Sequence, residues 1–491
     1  MKDTKKSKPV APAWKTRLAA VPVAVWIALL FLVFAWIALP VRNGIFLRWM
    51  EDCSLFEPTQ SARDELLRYP GGLLQYAGSY LMQFMHIPRL GSAILFALWM
   101  LLAFLTARCF RLSRNMAPLV LLLPVFLLES ILVLDEAWLT ILYKGYLFAP
   151  TLGFIAVAAL TWCFRLARPW WAAALTGAAT VLLYPWLGFY ALLAGGVQIV
   201  ITLLSLRQGG TSRLMLVSPV VTAILIGIIP LLYFRHMGGT WVEGRYLWLK
   251  GLPDLMMNAN DAYLLMPFVL TSALLLLLPL AQVVKRPDGK TAKVLSVGAV
   301  IVAGMWCSTK VAKSAEWRAG ATMQLYMDRL NWQEMVRVAD SMEGPIPPDI
   351  ALLATIARAQ CGMPPVAYNV SQIPEEGSTN LRKKPGFLRT IFLAVPADYF
   401  MGEPNRSYRW GMEHSVKYGH RAFLLKYMVR DCILNGDYEL ARHYNDMLAR
   451  TLFHRKWSER YGRLIDNPDL IPVDPELGRI YQDEAPDVFY H

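Results

Sequence analysis

The stretch LAAVPVAVWIALLFLVFAWIALPV, residues 18–41, contains no charged side chain and is long enough to decide the fold class. About 20 consecutive apolar residues form a helix that crosses the ~30 Å hydrocarbon core of a bilayer. The basic leader before it, residues 1–17, is too charged and the apolar run too long for a cleaved signal peptide. We therefore predict a first transmembrane helix that remains on the chain as a signal anchor.

Further apolar runs follow, and the composition agrees with a polytopic membrane protein. Hydrophobic residues make up 56% of the 491 residues, charged residues 17%, and the mean hydropathy is +0.37, which excludes an ordinary soluble domain. The predicted spans cover residues 18–41, 89–107, 116–134, 147–164, 170–184, 187–206, 214–234, 264–284 and 294–310. The sequence thus predicts an all-α bundle of about nine spans over residues 18–310.

Lysine and arginine are concentrated in alternate breaks between the spans. With nine spans, the leader and the breaks RCFRLSR, RLAR, RQGGTSR and KRPDGKTAK all fall on one side of the membrane. Because cytoplasmic loops carry the excess of positive charge, the pattern predicts a cytoplasmic N-terminus. It also explains the net charge of +13 without a nucleic-acid partner. Residues 42–88 then form a first outer loop with an amphipathic stretch that follows the membrane surface.

Residues 311–491 are charged throughout and contain no run long enough to span a bilayer, which predicts a soluble α-helical domain on the outer side. Within it, residues 419–448 have the pattern of a helical hairpin with a turn at Asn435, Gly436 and Asp437. The spacing of Gly, Tyr and Ala in this hairpin is typical of tetratricopeptide-like repeats. An irregular α-helical domain fits the pattern as well, since a single hairpin matches closely.

Two pairs of adjacent acids lie on the predicted outer side. Glu51 and Asp52 follow the first span in RWMEDCSLFEPT, and Asp135 and Glu136 follow the third. Carboxylates at such positions serve as catalytic groups or metal ligands, but they also end helices or pair with neighbours such as Arg48. Both interpretations remain open for each pair.

Basic side chains near the same surface could bind a phosphate group. Arg235, His236 and Arg245 follow the seventh span in a loop with several glycines and aromatic residues, and Lys144 precedes the fourth. Arginine offers a two-pronged donor to phosphate oxygens, and tryptophan and tyrosine favour the headgroup level. The alternative is that these side chains only fix the helix ends at the interface.

Other common kinds of site are not indicated. No phosphate-binding glycine loop, dinucleotide-binding pattern, zinc-protease motif or serine-hydrolase motif occurs in a suitable context. The histidines of the C-terminal region, His414, His420, His443 and His454, lack metal-ligand spacing, so we expect them to pack between helices or to lie at the surface.

The loop layout resembles integral-membrane glycosyltransferases that use a polyprenyl-phosphate or polyprenyl-diphosphate sugar donor, the GT-C class. The resemblance implies a catalytic base at Asp52 or Glu51 and a divalent cation, magnesium or manganese, at Asp135 and Glu136. It further implies a lipid phosphate held by the basic loop after the seventh span. The C-terminal domain would bind the acceptor, a protein modified at serine or threonine or another envelope partner.

Five segments of the sequence resemble an uncharacterised family of polytopic inner-membrane proteins from Bacteroidota-type bacteria. They are WMEDCSLFEPT, YPGGLLQY, YKGYLFAPTLGF, YRWGMEHSVKYG and TLFHRKWSERY. This resemblance covers nearly the whole chain and implies a bacterial inner membrane with a periplasmic C-terminal domain. Two other functions remain open. One is a non-enzymatic envelope scaffold, and the other is a lipid or polysaccharide flippase.

Overall fold

The computed structural model describes residues 22–134, 139, 143–167, 170–207, 213–236, 247–253, 264–283, 289–369 and 387–483. These residues are mostly helical and contain no β-strand, which confirms the predicted all-α class. The first part contains α1 (Val23–Trp36), α2 (Gly44–Asp52), α3 (Gln60–Leu67), α4 (Gly72–Met82), α5 (Pro88–Phe110), α6 (Leu122–Leu132) and α7 (Ala149–Leu166). It continues with α8 (Trp170–Leu182), α9 (Tyr184–Leu187), α10 (Phe189–Arg207), α11 (Val217–His236), α12 (Met266–Leu277) and α13 (Lys290–Ser308).

The apolar helices lie where the sequence predicts spans. Six of those described are long and apolar enough to cross a membrane, namely α1 with its continuation to Arg42, α5, α7, α10, α11 and α13. Three shorter apolar helices, Ala117–Leu132, Trp170–Leu182 and Met266–Ala281, coincide with the remaining predicted spans. The several membrane-type helices are thus confirmed. The count of nine stays a prediction, because the three short helices fall below the length of about 20 residues that a full crossing requires.

The first span ends in a distorted turn that joins it to the last span. Residues Ile37–Arg42 form a π-helical turn that contains Pro40, which has no N–H to donate within the helix. Asn43 follows, and its side-chain amide donates to the carbonyls of Ala38 at 2.7 Å and Val311 at 2.9 Å. This link holds the end of the first span next to the chain that leaves α13.

The first loop folds back onto the bundle. Its helix α4 packs against the start of α7, and Gly78 allows a close approach there, since a Cβ would lie 2.8 Å from the nitrogen of Ala149. The helix α3 in the same loop has no buried residue. The predicted amphipathic stretch is therefore divided into an exposed helix and one that packs on α7.

The described residues of the C-terminal part are mostly helical. It contains α14 (Ala315–Asp328), α15 (Trp332–Asp340), α16 (Pro348–Gln360), α17 (Phe387–Phe392), α18 (Ala394–Phe400), α19 (Pro404–Tyr418), α20 (Ala422–Leu434), α21 (Tyr438–Ala449), α22 (Arg455–Asp466) and α23 (Leu477–Asp483). The predicted hairpin is present as α20 and α21, which buries Ala441 and Tyr444. Whether the helix pairs are tetratricopeptide-like stays a prediction.

The C-terminal helices pack directly on the first loop. All residues of α20 are buried, so this helix is the centre of the C-terminal part. At the contact with the loop, the ring of Trp317 on α14 meets Phe46 and Trp49 on α2 edge-on, with centroids 5.1 and 5.6 Å apart. One hydrophobic core includes side chains from both parts of the chain. This packing places the end of α2 between the membrane helices and the C-terminal helices.

Candidate functional site

The two acids of the first loop, Glu51 and Asp52, are the last residues of α2 and are both buried. Their exposed fractions are 4% and 8%, which is unusual for carboxylates and requires partners. The sequence leaves open whether these acids are catalytic or are helix-end acids that are solvated or paired with Arg48. In the structure they lie inside the contact between α2 and the C-terminal helices, and each has its own set of partners.

Asp52 belongs to a first cluster, formed with Lys426 and Asp328. Its Oδ1 accepts a hydrogen bond from Lys426 Nζ at 2.6 Å, and Asp328 at the end of α14 lies next to both. Burial would raise the pKa of Asp52, but the charge and hydrogen bond of Lys426, with smaller effects of His454 and Arg48, together outweigh burial and hold the pKa well below its usual range. Asp52 is therefore an ionised carboxylate already engaged by a buried lysine, which makes it a weak proton acceptor.

Glu51 belongs to a second cluster, formed with His86 and His454. Its Oε2 lies 3.0 Å from His86 Nδ1, and its Oε1 lies 3.3 Å from His454 Nε2. Burial would raise the pKa of Glu51, but the imidazoles of His454 and His86 outweigh burial and lower it. Since an ionised carboxylate can only accept, the Nδ1–H of His86 donates to Glu51.

Arg48 lies beside this second cluster, one turn before Glu51. Its Nε is 4.0 Å from Glu51 Oε2, and its NH1 donates to the backbone carbonyl of His86. The predicted pairing of Arg48 with the acids is thus present, although it is longer than the contacts that the histidines make.

A cavity of about 90 Å³, lined by Cys53 next to Asp52 in the chain, lies where the first loop, the residues before α7 and the residues before α20 meet. Its polar lining includes Ser54, Ser79, Tyr143, Lys144, Tyr418, His420 and Arg421. Three of these, Lys144, His420 and Arg421, are basic side chains that donate hydrogen bonds, which suits an anion. Lys144 Nζ pairs with Glu57 at 3.2 Å, and burial lowers the pKa of His420.

Arg421 links the segments around the cavity by hydrogen bonds. Its guanidinium donates to the carbonyls of Cys53 and Leu139, both at 2.7 Å, and its side chain is almost fully buried. The amide of Ala422 donates to the carbonyl of Ser54 at 3.1 Å in the same region. The start of α20 therefore fixes the backbone that follows the two acids.

The other predicted phosphate ligands are not brought to this region. Arg235 and His236 are the exposed last residues of α11, and no hydrogen bond or ion pair among the described residues joins them to either acid. Asp135, Glu136 and Arg245 lie outside the described residues. Of the predicted basic residues, Lys144 is the one found beside the first loop.

The partners of the acids escaped sequence reasoning. Lys426 and His454 lie hundreds of residues from the acids along the chain, and His454 was expected to pack between helices or to lie at the surface. Their position follows from long-range packing of α20 and α22 on the first loop, which no local spacing encodes. The one signal is that His454 lies in TLFHRKWSERY, a segment that carries the family resemblance.

Comparison with known proteins gives a family. A model described as "Family of unknown function (DUF6057)" matches residues 19–491. No curated protein and no solved structure matches the chain, so the likeness to glycosyltransferases stays a prediction. The predicted resemblance to an uncharacterised family over nearly the whole chain is confirmed: the protein belongs to the DUF6057 family.

Proposed function

We propose that this protein is a membrane-embedded glycosyltransferase that takes a sugar or oligosaccharide from a polyprenyl-phosphate or polyprenyl-diphosphate donor. The observation that carries the proposal is the cavity lined by Cys53, in which Lys144 from one segment and His420 and Arg421 from another are hydrogen-bond donors. We place the protein in a bacterial inner membrane with the C-terminal helices in the periplasm. The acceptor would be an envelope molecule, in first place a protein serine or threonine.

The size of the cavity supports binding of the phosphate portion of the donor. A volume of about 90 Å³ is far below the ~300–1,000 Å³ of pockets that enclose a drug-sized ligand. A phosphate group would lie among the basic side chains, while the lipid chain would remain against the apolar helices. Positive side chains there would offset the charge that develops on the leaving phosphate.

In the transfer step, the acceptor hydroxyl oxygen bonds to the anomeric carbon of the donor sugar. The bond from that carbon to the phosphate oxygen breaks, and the phosphate leaves with the electron pair. The hydroxyl proton must pass to a base. Glu51 with His86 suits this role better than Asp52, because Asp52 is already bonded to Lys426, whereas a carboxylate paired with an imidazole is a common general base.

The test is a comparison of envelope glycoproteins and glycolipids in a deletion strain that is complemented with variants. We expect a glycan to disappear on deletion, to return with the wild-type gene and to stay absent with Lys144→Met or Glu51→Gln. The exposed His443→Gln serves as the control that restores it. Unchanged glycans in the deletion strain would refute the proposal. The variants are compared at membrane levels that match the wild type.

A second candidate is a non-enzymatic envelope scaffold, and the buried pair of Asp52 and Lys426 favours it. This pair, 2.6 Å long, fastens the C-terminal helices to the first loop, as a rigid platform for a partner would require. In that case glycans stay unchanged on deletion, and an envelope partner is lost from the membrane fraction. The described spans give little support to the flippase alternative, because the carboxylate of Glu129 already accepts a hydrogen bond from Trp306 Nε1 at 2.6 Å.

A further inference from the structure

We infer that Glu51, His86 and His454 form a binding site for a divalent first-row transition metal ion, zinc or iron. The inference does not rest on the proposed transfer reaction, because metal binding can be measured on the purified protein. It differs from the predicted magnesium or manganese site at Asp135 and Glu136, which lie outside the described residues.

The geometry of the second cluster fits a single ion. The potential ligand atoms, a carboxylate oxygen of Glu51, Nδ1 of His86 and Nε2 of His454, all lie within 4.8 Å of one another. Bonds of about 2.0–2.2 Å to a tetrahedral metal place neighbouring ligand atoms roughly 3.3 Å apart. The two carboxylate contacts, at 3.0 and 3.3 Å, are already close to that spacing. Small rotations of the histidine rings would complete it.

Two buried nitrogen atoms at this site provide an independent observation. His454 Nε2 makes no directed hydrogen bond to any described residue, although its side chain is only 5% exposed and the atom is 3.3 Å from Glu51. Such a contact has the distance but not the direction of a hydrogen bond, so this buried nitrogen lacks a directed partner among the described residues. Arg48 Nε is likewise buried without a hydrogen bond to a described residue, although it lies 4.0 Å from Glu51 Oε2.

The kind of ligand selects the kind of metal. Imidazole nitrogens favour zinc and iron over magnesium and calcium, and two histidines with one carboxylate occur in both zinc and non-haem iron sites. Three protein ligands leave a position open for water or a substrate oxygen. The guanidinium of Arg48 opposes a cation, but its side chain is 30% exposed and can turn towards solvent. A bound anion could also lie between Arg48 and the metal.

The ligands come from three distant segments of the chain. Glu51 ends α2, His86 immediately precedes α5 and His454 caps the start of α22. A metal here would therefore fasten the C-terminal helices to the first loop. Metal binding should raise the thermal unfolding midpoint, because an ion that binds only the folded protein stabilises it.

The experiment uses the full-length protein, purified in detergent on an affinity tag without histidine. We expect elemental analysis to find about one zinc or iron ion per chain and to show which of the two metals is bound. After removal with a chelator, titration with Zn²⁺, or with Fe²⁺ without oxygen, should restore the ion and raise the unfolding midpoint. Cobalt(II) in the same site should give the visible absorption of a four-coordinate centre.

Variants locate the ion. His86→Gln and His454→Gln should weaken binding by at least about 10–100-fold, the loss that even an outer-shell change causes. The exposed His443→Gln is the matched control and should bind as the wild type does. Wild-type protein that binds neither zinc nor iron overturns the inference, whatever the variants do. Equal binding by wild type and His454→Gln, or an equal loss in His443→Gln, also overturns it.

Discussion

Glu51 and Asp52 are neighbours in sequence but belong to clusters of opposite character. Asp52 faces a buried lysine that matches its charge, with the bond from Lys426 Nζ at 2.6 Å. Glu51 faces two imidazoles, one of which has a nitrogen with no directed hydrogen bond to the described residues. The first cluster has the form of a structural fastening. The second has the chemistry to bind an ion or move a proton.

The difference shows that two successive residues of one helix can have different roles. Successive residues of a helix point about 100° apart, so at the end of α2 the two carboxylates meet different elements of the C-terminal part. Asp52 meets α20, and Glu51 meets the start of α22. Sequence alone ranks Asp52 slightly above Glu51 as a catalytic group. The partners in the structure favour Glu51.

The largest expected effect comes from removal of the lysine. Lys426→Met leaves the ionised Asp52 buried without its partner, which should lower the free energy of unfolding by about 3–5 kcal/mol. Thermal or chemical unfolding in the same detergent measures the loss. Arg409→Met, which removes an exposed pair with Glu413, is the control and should cost at most about 1 kcal/mol. Equal losses in the two variants would contradict the structural role of the Asp52 cluster.

A substitution in the Glu51 cluster should lower the free energy of unfolding less than Lys426→Met does. Glu51→Gln keeps the shape of the side chain but removes the charge that the imidazoles face, and should cost roughly 1.5–3 kcal/mol of unfolding free energy in metal-free protein. The comparison with Lys426→Met sharpens the contrast between the clusters. A loss for Glu51→Gln as large as that for Lys426→Met would mean that both acids are structural.

The nine apolar segments and the hairpin of α20 and α21 could be predicted, because hydrophobic length and periodicity are local properties of the sequence. The two clusters could not. The bond from Lys426 to Asp52 and the contact of His454 with Glu51 depend on how the C-terminal helices pack on the first loop. The separation of 374 residues between Asp52 and Lys426 leaves no spacing to recognise. The acids themselves were identifiable, since their position after the first span is a sequence feature.

The cavity provides a case where function and stability should separate. Lys144 pairs with Glu57, and both side chains retain some exposure, so Lys144→Met should lower the unfolding free energy by no more than about 1 kcal/mol. Under the proposed function the same change abolishes the glycan in the complemented strain. A stable Lys144→Met protein that restores the glycan fully would show that the cavity takes no part in the reaction. It would not bear on the structural role of the Asp52 cluster.

The smallest effect is expected at alkaline pH and concerns Lys426 alone. Burial would lower its pKa, but the carboxylates of Asp52 and Asp328 outweigh burial and raise it above the ordinary lysine value of about 10.4. A base whose pKa is raised on folding stabilises the protein fully below its unfolded value, and this stabilisation is lost as the pH rises through the folded value. The stability difference between wild type and Lys426→Met should therefore stay constant from neutral pH to about pH 10 and shrink above it. Unfolding midpoints of both proteins across this range provide the measurement. A difference that already shrinks between pH 7 and pH 9 would contradict a charged, paired Lys426, because only a lysine with a lowered pKa loses its proton there.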